Sequence, residues 1–187
     1  MNIETQMKIT DEVMAKIYSI SPYAIVAGGA PRDWYFGNPA NDIDVFLYRP
    51  DLVTSWAHEA ILENVGLKVH QLGQNDTNHY LYSKNPKIAK VFECTYKRQR
   101  FQFVFMLEKT FTSVVKNFPL NICMAWYKNG EIHTTKDFER AVNHQAIVKV
   151  NPLYADGDAY ITKIKNKFPG FGYFSSYEEL AAALLDK

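Results

Sequence analysis

The sequence of 187 residues lacks the features that mark several common protein classes. No apolar run approaches the ~20 residues that cross a bilayer, and the polar first eleven residues do not resemble a signal peptide. The two cysteines, Cys94 and Cys123, lie in apolar surroundings, which predicts buried free thiols rather than a disulfide framework. The formal net charge of +1 excludes a chain that is strongly basic throughout. We therefore expect a cytoplasmic protein that does not use a membrane.

Hydrophobic residues make up 47% of the chain and charged residues 22%, which is ordinary for a globular protein of this length. Apolar spacing predicts helices from near residue 10 to 22 and over residues 31–36, 51–64, 112–118, 137–143, 158–168 and 177–185. Strands are predicted over residues 23–27, 42–48, 90–96, 101–107, 122–127, 131–134 and 147–150, with Asn129-Gly130 as the strongest hairpin signal. The chain is therefore expected to form an α+β core over residues 1–150, with a small helical tail over residues 151–187 packed on the same domain.

The most informative residues are Asp42 and Asp44, in the segment Asp-Ile-Asp-Val-Phe. Side chains alternate between faces on a strand, so both carboxylates point one way while Ile43 and Val45 enter the core. Two carboxylates at the edge of a core repel each other unless a cation neutralises them. Because the ligand atoms are oxygens, Mg²⁺ or Mn²⁺ is favoured over zinc. Two such ions, ~3.5–4 Å apart, activate an attacking oxygen and stabilise a leaving phosphate.

A glycine pair, Gly28-Gly29, precedes the acidic segment and is followed by Ala-Pro-Arg-Asp. Without side chains, the two glycines let backbone N–H groups approach a phosphate closely. A helix is predicted to begin just after them, and its N-terminus favours anions. Arg32 is positioned either to reach a triphosphate or to pair with Asp33. The order strand, turn, helix, loop and strand around both segments predicts a nucleotide triphosphate site in outline.

Gly28-Gly29-x-x-Arg32-Asp33 followed by Asp42-Ile-Asp resembles the signature of the DNA polymerase β-like nucleotidyltransferase superfamily. Within it, the sequence is most similar to the head domain of tRNA nucleotidyltransferase and poly(A) polymerase, and the likeness continues more weakly to about residue 150. The resemblance implies a mixed sheet packed against helices and two divalent ions. It also implies an enzyme that transfers a nucleoside monophosphate from a nucleoside triphosphate to a hydroxyl.

The resemblance assigns a role to each residue of the two segments. The catalytic carboxylates that bind Mg²⁺ or Mn²⁺ are Asp42 and Asp44. The nucleotide-binding residues are Gly28, Gly29, Arg32 and Asp33. The partners implied are a nucleoside triphosphate and an acceptor, which is an RNA 3′ end such as that of tRNA, a protein hydroxyl or a small molecule. Short stand-alone members occur in phages and toxin–antitoxin loci, which would place a viral member in the host cytoplasm.

Three departures from the family pattern limit what the resemblance implies. The family's third carboxylate is either supplied by Glu93, as a ligand or base, or lost at Gln102. Pro119 and Cys123 stand near the positions where the family has Asp and Asn. No Glu-Asp-x-x-Arg motif follows residue 150, so we do not expect a complete CCA-adding enzyme. The rival interpretation is a catalytically degenerate domain that binds nucleotide, RNA or a protein partner.

Two groups of cations are weaker signals. Between residues 84 and 100, six Lys and Arg side chains interleave with aromatic residues, which is typical either of nucleic-acid binding or of a solvated hairpin turn. Lys163, Lys165 and Lys167 are predicted not to share one helix face. The five histidines have no metal-ligand spacing, so no zinc site is expected.

Overall fold

The structure, a computed structural model, describes residues 1–72, 85–108, 114–152 and 158–185. The helices of this part of the chain are α1 (Ile3–Tyr18), α2 (Gly29–Tyr35), α3 (Ser55–Asn64), α4 (Lys136–His144), α5 (Ala159–Lys167) and α6 (Tyr177–Leu185). The strands are β1 (Ile25–Ala27), β2 (Asp42–Tyr48), β3 (His70–Gln71), β4 (Ile88–Tyr96), β5 (Gln99–Met106), β6 (Ala125–Lys128), β7 (Glu131–Thr134), β8 (Ala146–Val148) and β9 (Gly172–Phe174). The architecture confirms the predicted α+β class.

Seven strands form the central sheet in the order β3-β4-β5-β2-β1-β6-β7, and β8 pairs with β9 in a separate two-stranded sheet. Within the large sheet β2 and β5 run parallel, whereas the other neighbours are antiparallel. The sheet is therefore mixed, as predicted. The two hairpins expected from the sequence, β4–β5 and β6–β7, are both present.

Strand β2 separates the two apolar clusters that hold the fold together. Its buried residues Ile43, Val45 and Leu47 pack into a cluster shared with α1 and α3. Phe46 faces the opposite side and packs into a cluster shared with α4 and α5. Because side chains alternate along a strand, Asp42 and Asp44 lie on the same side as Phe46. The acidic pair therefore faces the side of the sheet that α5 covers.

Helix α1 begins seven residues earlier than predicted, at Ile3 rather than near residue 10. Asn2 caps it by accepting a hydrogen bond from the Thr5 backbone N–H at 2.9 Å. The apolar stripe is interrupted by Gln6, whose buried side chain donates to the Ala40 carbonyl at 2.6 Å and to Gln99 Oε1 at 2.7 Å. From the sequence alone, a buried glutamine whose partners are distant cannot be distinguished from a surface residue. The pattern therefore predicted a later start for α1.

Other boundaries differ by a few residues for local reasons. The helix predicted from residue 51 begins at Ser55, because Asp51 instead binds the Arg49 guanidinium at 2.8 Å in the preceding turn. The β4–β5 turn contains only Lys97 and Arg98, both with positive φ, rather than four residues. The first part of the strand predicted over 122–127 is a 3₁₀ turn at Asn121–Cys123.

The tail contains the two predicted helices, α5 and α6, and a strand that was not predicted, β9. Residues Ile161, Ile164 and Phe168 of the tail are buried in the apolar cluster that also contains Phe46. Strand β9 pairs in parallel with β8 of the preceding segment. These contacts place α5 against the sheet face that carries the acidic pair.

Three expectations fall wholly or partly outside the described ranges: the first residues of the helix at 112–118, the histidine His79, and Lys84 of the cationic segment. Both cysteines are free and buried, as predicted. Among the described residues, none of the helices has the length and apolar character needed to cross a membrane.

Candidate active site

Asp42 and Asp44 line the same cleft, next to β5. Asp42 is opposite Arg100 in the parallel β2–β5 register, and its Oδ2 accepts a hydrogen bond from the Arg100 guanidinium at 2.8 Å. The side chains of this ion pair are 40% exposed for Arg100 and 32% exposed for Asp42. Arg100 therefore neutralises part of the acidic pair, so the cation expected beside two carboxylates is supplied in part by the protein itself.

Strand register shows how Gln102 and Glu93 lie relative to Asp44. Asp44 pairs with Gln102 on β5, and Gln102 pairs with Glu93 on β4. The neutral Gln102 is thus the residue beside Asp44, and the backbone of Glu93 lies two strand spacings away, ~10 Å. Gln102 Nε2 donates to Glu93 Oε2 at 3.1 Å, and the Arg100 Nε lies 3.8 Å from the same oxygen. Glu93 is therefore positioned to hold the Gln102 amide.

The donor set of this cleft can be compared with what each metal requires. In the described part of the chain, no group of three or more His, Cys, Asp or Glu side chains is placed to hold an ion. The cleft offers the carboxylates of Asp42 and Asp44 and the amide oxygen of Gln102. This set fits Mg²⁺ or Mn²⁺, because Mg²⁺ is commonly bound through one or two carboxylates while substrate phosphates and water complete the shell. It lacks the Cys and His ligands of a zinc site.

Gly28 makes the turn between β1 and α2 in a conformation that other residues rarely adopt, with φ 84° and ψ −115°. A Cβ atom at this position would lie 3.1 Å from the Phe118 ring. The Gly28 N–H donates to the Ala125 carbonyl at 3.0 Å and is thus used within the sheet. Of the glycine pair, Gly29 is the residue that lines both of the clefts described below.

Arg32 and Asp33 form a buried pair, with side chains 5% and 6% exposed and an Nη2–Oδ1 distance of 2.9 Å. The Arg32 guanidinium also donates to Cys123 Sγ at 3.3 Å and lies 5.6 Å from the centre of the Phe168 ring. Burial alone would lower the pKa of Arg32, but Cys123, Tyr160 and Asp33 together raise it above its ordinary value. Of the two predicted alternatives for Arg32, pairing with Asp33 is present, and both residues line the cleft of the acidic pair.

Two open clefts meet at this site. The first has an empty volume of about 620 Å³ and a mostly apolar wall that includes Phe46, Met106 and Phe118. The second, of about 610 Å³, contains the acidic pair and several cations. The residues common to both clefts are Gly29, Asp44 and Tyr160. A mostly apolar cleft and a charged cleft are therefore joined at these three residues.

Residues of α5 complete the charged cleft, and the sequence interpretation missed them. Lys163 and Lys167 both line it, whereas Lys165 lies 4.5 Å from the centre of the Tyr173 ring. The three lysines therefore do not share one face, as predicted, but Lys163 and Lys167 do share one, because positions i and i+4 are neighbours on a helix. That spacing was the available signal. The Lys167 ammonium forms an ion pair with Asp33.

Tyr160, also on α5, lines both clefts, and its hydroxyl lies 3.2 Å from Cys123 Sγ. Burial raises the pKa of the Tyr160 phenol well above its ordinary value, and the neighbouring Cys123 raises it further. The phenol is therefore neutral at physiological pH. Cys123, at a position where the resemblance led us to expect Asn, here connects Arg32 to Tyr160.

The cations of the β4–β5 segment are mostly paired with acids rather than gathered on one surface. Lys97 binds Glu12 at 2.5 Å, and Lys87 binds Glu108 at 3.0 Å. Arg100 binds Asp42, as described above. This pairing favours the solvated-hairpin interpretation of the segment over a continuous nucleic-acid surface.

Comparison with solved structures identifies the fold. A tRNA-processing enzyme in its apo form aligns with a TM-score of 0.60 and 12% identity over 95% of this chain and 46% of its own. The Thermotoga maritima CCA-adding enzyme complexed with tRNA aligns with a TM-score of 0.57 and 14% identity over 84% of this chain and 36% of its own. A tRNA nucleotidyltransferase complexed with a primer tRNA and an incoming ATP analog aligns with a TM-score of 0.54 and 14% identity. This alignment covers 87% of this chain and 46% of the tRNA nucleotidyltransferase chain.

The chain spans less than half the length of these structures. The predicted resemblance to the nucleotidyltransferase head domain is confirmed at the level of the fold. A family model described as "Gad2: Gabija anti-defense 2 family protein" matches residues 3–145, well over half of the chain. No curated protein sequence matches the chain.

Proposed function

The chain belongs to the Gabija anti-defense 2 family, and from the geometry of its clefts we propose that it is a metal-dependent nucleotidyltransferase. It would transfer a nucleoside monophosphate from a nucleoside triphosphate to a hydroxyl acceptor, and this activity would serve the anti-defense role against Gabija that the family description names. The observation that carries the proposal is the junction at Asp44. There a cleft with a mostly apolar wall meets a cleft that is lined by carboxylates and cations.

In this proposal, Asp42 and Asp44 hold Mg²⁺ or Mn²⁺ together with the phosphates of the nucleotide. A divalent cation in such a site lowers the pKa of an attacking hydroxyl and stabilises the negative charge of the leaving pyrophosphate. The Arg100 guanidinium contacts only Oδ2 of Asp42, so Oδ1 could ligate the metal while Arg100 stays close enough to meet a phosphate oxygen. Gly29 lets the chain of phosphates approach the backbone because no side chain intervenes.

Gln102 and Glu93 have distinct roles in this scheme. The Gln102 amide nitrogen is engaged by Glu93, so the carbonyl oxygen is the atom of this side chain that can ligate a cation beside Asp44. Glu93 would then be a positioning residue that orients the amide, rather than a metal ligand or base. An amide oxygen carries no net charge, so we expect weaker metal binding than with three carboxylates.

For the acceptor we propose an RNA 3′ end, such as that of tRNA. The support is fold similarity to enzymes whose structures contain tRNA. The apolar and charged clefts account for the nucleotide, and the acceptor would reach Asp44 from the open side of the junction. A labelled-nucleotide assay with tRNA, a protein mixture and small polyols as alternative acceptors would identify which class accepts the label.

The test of the proposed function compares the wild type with Asp42→Asn/Asp44→Asn. Calorimetric titration of the four nucleoside triphosphates, with Mg²⁺ or Mn²⁺, should give metal-dependent binding that the double variant loses. Nucleotide transfer should fall by more than about 100-fold, since an ion in such a site supplies several kcal/mol of charge stabilisation. Asp51→Asn is the matched control, because Asp51 is an aspartate of an exposed ion pair on the loop after β2.

The second candidate function is a degenerate domain that acts by binding alone. Two observations favour it: the neutral Gln102 beside Asp44 and the Arg100–Asp42 ion pair. The same double variant separates the candidates in cells that carry Gabija. If the double variant, folded and expressed at the wild-type level, still suppresses Gabija, then catalysis is not required and the binding interpretation holds.

A further inference from the structure

Helix α5 lies outside the region that the family model matches, yet it forms one wall of the charged cleft. Its apolar residues Ile161 and Ile164 are fully buried against the sheet. Asp158 caps its start by accepting a hydrogen bond from the Tyr160 backbone N–H at 2.9 Å. The helix is therefore fixed in place by core packing, and its cleft-facing side chains have a defined position relative to Asp42 and Asp44.

We propose that α5 is the triphosphate-binding element of the site, with Lys163 and Lys167 binding the β- and γ-phosphates of a nucleoside triphosphate. This inference rests on the proposed function and extends it. Lys163 and Lys167 are one helical turn apart on the same face, ~6 Å between their Cα atoms, which is a suitable span for two adjacent phosphates. Both line the cleft that contains Asp42 and Asp44.

The charge balance of the cleft favours further cations in addition to Arg100. Asp42 and Asp44 carry negative charge, and a triphosphate adds more, so an ion held by the two carboxylates leaves the outer phosphates without a full complement of positive charge. Arg32 lines the same cleft, but its guanidinium is committed to Asp33 and Cys123. Lys167 is also paired with Asp33, but its side chain is 32% exposed against 5% for Arg32. Lys163 and Lys167 are therefore the cleft-lining cations best placed to follow an incoming phosphate.

Asp33 acts as a positioning residue in this arrangement. Its two carboxylate oxygens contact Arg32 on one side and Lys167 on the other, and its side chain is only 6% exposed. A buried carboxylate would repel a phosphate in direct contact, so a nucleotide-binding role for Asp33 is indirect. By holding two cations, Asp33 fixes the direction from which the phosphates are bound.

The two clefts also define the orientation of the nucleotide. The triphosphate occupies the charged cleft under α5, and the nucleoside occupies the apolar cleft beside Phe46 and Phe118. The α-phosphate then lies at the shared residues, next to Asp44. This orientation places the phosphorus that is attacked beside the metal-binding carboxylate and the leaving pyrophosphate beside the lysines.

The test uses Lys163→Gln, Lys167→Gln and the double variant, with Lys165→Gln as the matched control. Lys165 is on the same helix and loses the same charge, but it packs over Tyr173 instead of lining the cleft. Calorimetry should use the nucleoside triphosphate that the wild type binds best, the corresponding monophosphate, and Mn²⁺. Circular dichroism and thermal unfolding check that each variant is folded.

We expect each cleft lysine variant to weaken triphosphate binding by about tenfold, and the double variant by more, because a hydrogen bond to a charged group is worth about one factor of ten or more. Monophosphate affinity should stay within about twofold in every variant, since the lysines bind only the outer phosphates. Lys165→Gln should match the wild type for both nucleotides.

Three results would overturn the inference. Triphosphate affinity of the double variant within threefold of the wild type would show that the lysines do not bind the nucleotide. Equal losses for tri- and monophosphate would indicate an indirect structural effect. Unchanged triphosphate binding with reduced tRNA binding in a gel-shift assay would assign the lysines to an RNA backbone. In all three cases the proposed function survives if Asp42→Asn/Asp44→Asn still abolishes binding, whereas a wild type that binds no nucleotide refutes both.

Discussion

Replacing Gly28 by alanine is expected to destabilise the protein by about 2–4 kcal/mol. Its backbone, at φ 84° and ψ −115°, lies in a region that costs a residue with a side chain about 1–3 kcal/mol. The new methyl group would also meet the Phe118 ring at 3.1 Å. Phe118 itself packs edge-on to Phe46, with ring centres 6.0 Å apart, so it has limited freedom to retreat. Overpacking of this kind adds about 1–3 kcal/mol, of which partial relaxation recovers some.

Two other glycines separate the backbone effect from the steric one. Gly37 also has positive φ, 74°, but a Cβ atom there would have no neighbour within 4 Å, so Gly37→Ala should cost about 1–2 kcal/mol. Gly170 also has open space and its φ is not positive, so Gly170→Ala should be neutral or stabilise by up to about 1 kcal/mol. Urea unfolding at 25 °C would measure all three. A Gly28→Ala variant that is no less stable than Gly37→Ala would refute the steric part of the reasoning.

Two further predictions concern Gln102 and His58. Gln102→Asp places a third carboxylate beside Asp44 and should tighten Mn²⁺ binding about tenfold by titration calorimetry, because ligand charge raises affinity; unchanged or weaker binding would contradict the proposed metal site. Burial lowers the pKa of His58, which is 4% exposed and packs 4.2 Å from the Phe105 ring centre, so the neutral form is favoured in the folded state. Its stability contribution is therefore complete above the unfolded pKa of about 6.5 and is lost, by at most about 1.4 kcal/mol per pH unit, as the pH falls towards the folded pKa. In urea unfolding at pH 5 to 8, His58→Gln should remove this part of the acid sensitivity, whereas the exposed His144→Gln should retain it. If the free energy of unfolding changes equally with pH in the wild type and in His58→Gln, the assignment to His58 is contradicted.

Local sequence determined the elements whose signals are self-contained. Strand β2 has the predicted bounds, Asp42–Tyr48. The alternation of acidic and apolar residues there indicates both the two-residue period of a strand and the face that is buried. The β6–β7 hairpin follows from Asn129-Gly130, since both residues adopt the positive φ that a two-residue turn demands. The resemblance to nucleotidyltransferases was readable because Gly28-Gly29 and Asp42-Ile-Asp44 are local patterns, close together in the sequence.

Features that depend on contacts between distant segments could be read only from the tertiary structure. The choice between Glu93 and Gln102 was open in the sequence because spacing along a chain does not fix the register between strands, and only the β2–β5–β4 alignment put Gln102 beside Asp44. The start of α1 was hidden because Gln6 is buried through hydrogen bonds to residues far away in sequence.

The residues that line the charged cleft also include some that local sequence predicted and some that only tertiary packing brought there. That the glycine turn and the acidic strand lie close together could be predicted from the sequence, because only a short helix and a loop separate them. The sequence did not determine that Lys163 and Lys167 reach the same cleft, although their spacing puts them on one helix face. That depends on where α5 docks, which is set by burial of its apolar residues Ile161, Ile164 and Phe168 against the sheet. The hydrophobic effect is non-directional, so the apolar residues of α5 do not by themselves specify where the helix docks. The docking position is defined only when the apolar surface of the sheet that α5 covers has formed.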